Sequence, residues 1–344
     1  MDIRSMTMEQ ITETMRGLGQ PAYRARQLYS WMHERIADSY DAMTNLPKTL
    51  REQLAAEYPL TVLKKEVVLV SKEDETRKYL FRLPDGNVIE SVRMVYRHGV
   101  SVCISSQVGC RMGCSFCAST IGGLVRNLEP SEMLEQIYAI TRDTGERVDS
   151  VVVMGTGEPL DNYDNLLTFV RMLTDENGLH ISQRNVTIST CGLVPMLRRL
   201  ADEKLAITPA ISLHAPNDEL RRRLMPVANA YTIRELLDAA DYYVETTGRR
   251  MTFEYSLISG VNDSAGEAKE LAGILRGKNA HVNLIPVNPV EEREYRRSHV
   301  KNVLQFQKML ENEGIHVTIR RELGSDINAA CGQLRRHYEE QGKV

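Results

Sequence analysis

From residue 100 onward, apolar runs of strand length alternate with helix-length amphipathic stretches, and this alternation constrains the fold more than any other feature. Strand signals at 100–104, 150–154, 186–188, 206–213, 252–258 and 281–285 are each followed by a helix signal. Those helices fall near 131–143, 162–175, 194–202, 232–246, 265–276 and 300–313, and a last strand at 316–320 closes the series. Such alternation makes parallel strands with helices outside them, and places functional groups at the strands' C-terminal ends. Six repeats are too few for a closed eight-fold barrel. The expected fold is α/β, a partial (β/α)6 barrel over 99–323 with an open side suited to a bulky substrate.

Upstream, the pattern differs. Residues 1–52 carry Ile11, Met15, Leu28, Trp31, Met32 and Ile36 at helical spacings, interrupted by Gly17 to Pro21 and restarted at Asn45-Leu-Pro47. They form an expected small helical domain, and its lone tryptophan reads as core rather than as a base-stacking platform. Residues 53–98 read as strands, with Tyr79 to Leu83 and Val88 to Val92 flanking the turn Pro84-Asp85-Gly86 as a hairpin extension. A C-terminal segment, 324–344, completes the chain. Glu90 sits among apolar neighbours in the second hairpin strand. On pattern alone it is either an outward-facing strand residue or a carboxylate placed for use.

The first βα connection holds Cys110-Arg-Met-Gly-Cys114-Ser-Phe-Cys117, a C-x3-C-x2-C spacing with no fourth thiol or histidine inside the loop. Structural zinc and a protein-held [4Fe–4S] cluster both normally take four protein ligands. Three thiols leave one metal position for a small molecule. The spacing favours an iron–sulfur cluster over zinc, with unligated cysteines as a third possibility. The remaining thiols, Cys103, Cys191 and Cys331, are scattered, which does not resemble a disulfide framework. With no export signal and no apolar run of membrane-spanning length, a reducing cytoplasm is expected. The net charge of −3 weighs mildly against a nucleic-acid partner, although arginines cluster locally at 221–223, 249–250, 320–321 and 335–336.

Other strand ends carry small polar groups. Met154-Gly-Thr-Gly157-Glu158-Pro159 follows the second strand, and Glu158 is placed to accept from an ammonium group. Ser189 ends the third strand, Ser212-Leu213-His214 the fourth, and Asn288 the sixth.

This constellation resembles the radical S-adenosylmethionine (SAM) superfamily, in which SAM fills the open iron site. Cys103-Ile-Ser-Ser-Gln-Val-Gly-Cys110, Ser212-Leu-His-Ala-Pro-Asn217, Arg223-Leu-Met-Pro226, Gly260-Val-Asn262-Asp, His281-Val-Asn-Leu-Ile-Pro286 and Asp326-Ile-Asn-Ala-Ala-Cys331 resemble the RlmN family over essentially the whole chain. The resemblance implies 2-methyladenosine formation at adenosine 2503 of 23S rRNA and adenosine 37 of tRNAs. It implies one [4Fe–4S] cluster on Cys110, Cys114 and Cys117, and two SAM molecules per turnover. One SAM methylates Cys331; the other yields the 5′-deoxyadenosyl radical that activates this methyl. Cys103 then matches the thiol resolving the protein–RNA adduct, and Glu90 the acceptor of the C2 proton. Gly157, Glu158, Ser189, Ser212, Leu213, His214 and Asn288 match SAM contacts. An external electron donor such as flavodoxin or ferredoxin and a monomeric state are also expected. Arg221 to Arg223 and the arginines flanking Cys331 become candidates for phosphate contacts. Asn328 stands where the family usually has aspartate. The nearest alternative is Cfr, which methylates C8 of the same rRNA adenosine; Pro159 and Leu284-Ile-Pro-Val-Asn288 favour RlmN.

Overall fold

A computed structural model describes residues 1–290, 292–327, Leu334, Arg335 and Tyr338. Three helices open the chain: α1 (Met8–Gly17), α2 (Tyr23–His33) and α3 (Lys48–Glu57). Thr7 and Gln10 form a reciprocal capping box that starts α1, and Pro47 directly precedes α3. The faces carrying Ile11, Met15, Leu28, Met32, Leu50 and Leu54 are buried in one core with the rest of the molecule. Trp31 packs against that core, its indole N–H donating to Asn45 and the Arg35 guanidinium over its ring.

Strands β1 (Lys64–Val70), β2 (Arg77–Arg82) and β3 (Val88–Tyr96) follow as an antiparallel meander. Rather than standing apart as a hairpin, they continue the main sheet, because β3 pairs antiparallel with β4 (Gly99–Ile104). After β4 comes a short hairpin of β5 (Gln107–Gly109) and β6 (Leu124–Asn127) that brackets the cysteine loop. Its strands are too short for an alternation signal, so periodicity does not reveal it. At Gly109, φ is +76° and a Cβ would lie 2.0 Å from the Gly123 carbonyl oxygen, so only glycine closes this hairpin.

The rest is the expected βα series: α4 (Pro130–Thr144), β7 (Ser150–Val153), α5 (Tyr163–Leu173), β8 (Val186–Thr190), α6 (Val194–Asp202) and β9 (Thr208–Ser212). Then come α7 (Asp218–Leu224), α8 (Ile233–Thr247), β10 (Met251–Leu257), α9 (Ala265–Leu275), β11 (Ala280–Pro286), α10 (Val300–Asn312) and β12 (His316–Ile319). Spatial order runs β1-β2-β3-β4-β7-β8-β9-β10-β11-β12, parallel from β4 onward. With each parallel strand beside its sequence neighbour, the sheet curves as an open partial barrel. Helix ends follow sequence signals: Thr232 and Glu235 form a capping box for α8, and Gly248 ends it at φ +69°. The seven-residue α7 is an addition to the expected series, capped by Asn217, whose Oδ1 accepts from the Leu220 N–H at 3.0 Å. Its Arg-Arg-Arg run is uniformly charged in sequence, and seven residues give too few periods to say which arginine turns inward.

His33 of α2 is fully buried against the barrel, its Nδ1 2.9 Å from the Tyr138 hydroxyl of α4. Burial, with help from the nearby Arg4 charge, holds its pKa down at about 3. The unfolded chain therefore binds a proton below about pH 6.5 that the folded chain refuses, so His33 makes stability fall as pH drops through that window. Its contribution to the slope approaches about 1.4 kcal/mol per pH unit. His33→Phe should thus cost less stability at pH 5 than at pH 7.5 in urea titrations; equal costs at both would sink the idea.

Candidate active site

The cysteine loop is pinned from several sides. The Cys110 N–H donates to the Gly123 carbonyl at 2.9 Å, and the Thr120 hydroxyl donates to the Cys117 carbonyl at 2.9 Å. The Ser115 N–H donates to the Leu224 carbonyl at the end of α7, also at 2.9 Å. Cys110 and Cys114 are buried and Cys117 half-buried. Burial, joined by the charge of Cys117, pushes the Cys110 thiol up to about 12, and Cys114 rises for the same reasons. These thiols stay protonated unless a metal stabilises the thiolate form. Among the described residues no three His, Cys, Asp or Glu side chains converge on one metal-ion position. A polynuclear cluster, in which each thiolate takes its own iron, makes no such demand. Cys114 and Cys117 lie in one apolar cluster with Met112, Phe116, Leu220 and Leu224, and Cys110 is buried on the same loop, a donor set and surround that fit an iron–sulfur cluster.

Beside the loop, the Gly-Thr-Gly turn after β7 packs backbone to backbone against the end of β4. A Cβ on Gly155 would lie 2.6 Å from the Ile104 carbonyl oxygen, and one on Gly157, at φ +111°, 2.6 Å from Gln107 Cβ. This contact aims Glu158 inward, where it is 3% exposed. Its carboxylate accepts from the Leu160 N–H at 3.0 Å and the Cys191 N–H at 2.7 Å. Burial raises its pKa against those hydrogen bonds, and among the described residues no cation figures among its partners. A buried carboxylate held only by neutral donors is a ready acceptor for an ammonium group.

Ser189 is buried near the end of β8, Ser212 ends β9, and Leu213 is fully buried. His214 adopts left-handed backbone at φ +56°, held by Asn262 Nδ2, which donates to its carbonyl at 2.8 Å. Its Nδ1 accepts from the Ser256 N–H at 2.9 Å, while burial and the Arg221 charge hold its pKa at about 3. The ring is thus neutral with its proton on Nε2. Phe116 of the cysteine loop meets it edge-on at 5.0 Å.

A cavity of about 240 Å³ opens at the mouth, lined among others by Val92, Met94, Cys103, Met154, Asn288, Arg297, Arg320 and Arg321. Cys103 lies opposite Val92 across the β3–β4 ladder, so both point to one face. Glu90, two residues before Val92, shares that face. It is not the outward-facing residue that pattern alone allowed: it is 1% exposed and paired with Lys78 at 3.1 Å, both side chains fully buried. Lys78 reads as an ordinary strand residue in sequence; only the β2–β3 register brings it to Glu90. Its carboxylate also accepts from the Arg335 N–H of the C-terminal segment. Cys331 and Asn328 lie outside the described residues. One expectation needs correction: Arg221 is fully buried and cannot meet phosphate, whereas Arg222 and Arg223 are exposed.

Residues 104–272 match the model of the radical SAM superfamily, and residues 1–59 that of the "Ribosomal RNA large subunit methyltransferase N-terminal domain". The "Probable dual-specificity RNA methyltransferase RlmN" of Lachnoclostridium phytofermentans is 57% identical over 343 residues, covering 100% of this chain and 96% of the relative. The protein of the same name from Lachnospira eligens is 59% identical, covering 98% of this chain and 97% of the relative. Among solved structures, a radical SAM methyltransferase from Sphaerobacter thermophilus superposes with a TM-score of 0.93 at 46% identity, covering 97% of this chain and 98% of that one. No helix among the described residues is long and apolar enough to cross a membrane. Fold, cysteine loop and relatives agree: the chain belongs to the RlmN family of radical SAM RNA methyltransferases.

Proposed function

We propose that this enzyme forms 2-methyladenosine at adenosine 2503 of 23S rRNA and adenosine 37 of tRNAs, through a methylated Cys331 and a covalent protein–RNA intermediate. The observation that carries the reading is the placement of Glu90 and Cys103 on one sheet face beside an arginine-rimmed cavity. C2 of adenine is an electrophilic amidine carbon, so a methyl sulfonium cannot alkylate it by displacement. Carbon must arrive as a radical. Cys110, Cys114 and Cys117 would hold a [4Fe–4S] cluster, which when bound would supply the electron that makes a radical from SAM.

The chain's own residues do the remaining work. Cys331, as thiolate, takes a methyl from one SAM. Glu158 receives the amino group of the SAM at the cluster, and Gly157, Ser189, Ser212, Leu213, His214 and Asn288 form the rest of its site. Once the methylene carbon is joined to C2, the unpaired electron would return to the oxidised cluster and Glu90 takes the C2 proton. Cys103, as thiolate, then attacks the Cys331 sulfur, the S–CH2 bond breaks, and the released carbon takes a proton to become the methyl group, leaving a disulfide for an external reductant. Arg297, Arg320 and Arg321 suit the phosphates of an RNA whose target base is unstacked into the cavity. Flavodoxin or ferredoxin as donor, a monomeric state and a cytoplasmic setting complete the reading.

Methylated 23S rRNA and tRNA, digested to nucleosides and separated against standards by mass spectrometry, test it directly. The expected product is 2-methyladenosine in both RNAs. Its isomer 8-methyladenosine as main product would move the enzyme to the Cfr reaction.

A further inference from the structure

We propose that Arg221 is a buried counter-charge for the iron–sulfur cluster and raises its reduction potential. The inference rests on the cluster assignment made under Proposed function. Arg221 is fully buried in α7. Its Nη2 donates to the Cys191 carbonyl at 2.7 Å and the Ser212 carbonyl at 3.4 Å, and its Nε to the Leu213 carbonyl at 3.3 Å. Nη1 has no hydrogen-bond partner among the described residues. Each of these acceptors is a neutral carbonyl, so among the described residues a permanent positive charge stands in the interior without a carboxylate bonded to it. Asp218, on the same helix, is engaged elsewhere, accepting from the Ile233 N–H at 2.7 Å.

A buried, unpaired guanidinium is costly unless some anion compensates it. The geometry supplies one. Helix α7 is bonded to the cysteine loop through Ser115 and Leu224, and its Leu220 and Leu224 pack with Cys114 and Cys191 in one apolar cluster. Three thiolates leave a [4Fe–4S] unit negative, and its one-electron reduction adds another negative charge. In a dry interior a fixed cation favours that reduced state, since net charge and burial are among the terms that set cluster potentials. Arginine suits the position better than lysine because it stays charged and its fork spans several carbonyls.

The test is a dithionite titration, followed by electron paramagnetic resonance, of the full chain reconstituted anaerobically, without SAM or RNA. Arg221→Met should lower the cluster's reduction equilibrium about tenfold, equivalent to about 59 mV for a one-electron couple. Arg221→Lys, which keeps the charge and loses the fork, should stay near wild type, and Arg221→Gln should follow Met. Should Arg221→Met fail to fold, the Lys and Gln variants carry the comparison. Equal potentials for Gln and wild type, or a Lys variant displaced as far as Gln, would overturn the inference and leave Arg221 a staple for three carbonyls. A wild-type chain that holds no four-iron cluster would instead overturn the functional reading beneath it.

Discussion

Replacing Cys103 with alanine is expected to leave RNA covalently attached to the protein. The side chain is 4% exposed and lines the cavity at the mouth, on the face it shares with Val92 and Glu90. In the proposed route nothing upstream of adduct resolution calls for its sulfur: methylation of Cys331, radical formation and addition to C2 would all involve other atoms. Without it the S–CH2 bond has no internal nucleophile, so each chain stops after one addition and turnover falls to a single event at most. The substitution removes one sulfur from a cavity wall, a loss on the order of 1 kcal/mol that spares the fold. A denaturing gel before and after nuclease treatment reads the result as a shifted band collapsing to the free chain. Cys331→Ala should show neither methylation nor the shifted band. Normal turnover by Cys103→Ala would dismiss the two-cysteine route for this enzyme.

Sequence reaches the barrel because each βα unit announces itself locally, through a strand-length apolar run followed by an amphipathic helix. The cysteine spacing is legible for the same reason, since eight consecutive residues carry it. What stays hidden depends on pairing between distant segments. Lys78 is one charge among many until β2–β3 register sets it beside Glu90. Arg221 sits in a run of three arginines, and only the docking of α7 on the cysteine loop separates the buried one from its exposed neighbours. Hairpin β5–β6 is too short to leave a period, and glycines at 109 and 123 are its sole trace. Cys103 and Cys331 are a different case: their significance came from resemblance, and no spacing between residues so far apart reports a shared site.

Arg4 is another residue that no pattern singles out, and its replacement should destabilise the protein more than that of any surface charge. It is fully buried in the turn before α1. Its guanidinium donates to the Thr61 carbonyl at 2.6 Å, to the Ala37 carbonyl, and to Glu135 of α4, which also pairs with Arg142. Asp2 accepts from both the backbone and the hydroxyl of Thr61 at 2.6 Å. One arginine therefore ties the N-terminal helices, the segment leading into β1 and the barrel's α4 together. Burial raises the Glu135 pKa, opposed by the Arg4 and Arg142 charges, so the carboxylate depends on its partners to stay ionised. Arg4→Met strips one partner from a buried carboxylate and leaves two carbonyls unpaired, at a cost of about 3–5 kcal/mol. Arg16, in an exposed pair with Glu13, is the control: Arg16→Met should leave the urea midpoint where it was. Limited proteolysis adds a positional readout, since a broken junction should release the N-terminal helices before the barrel is cut. An unchanged midpoint and an uncut junction in Arg4→Met would mean that packing alone seats these helices beside the barrel, and that the buried charges contribute nothing to holding them there.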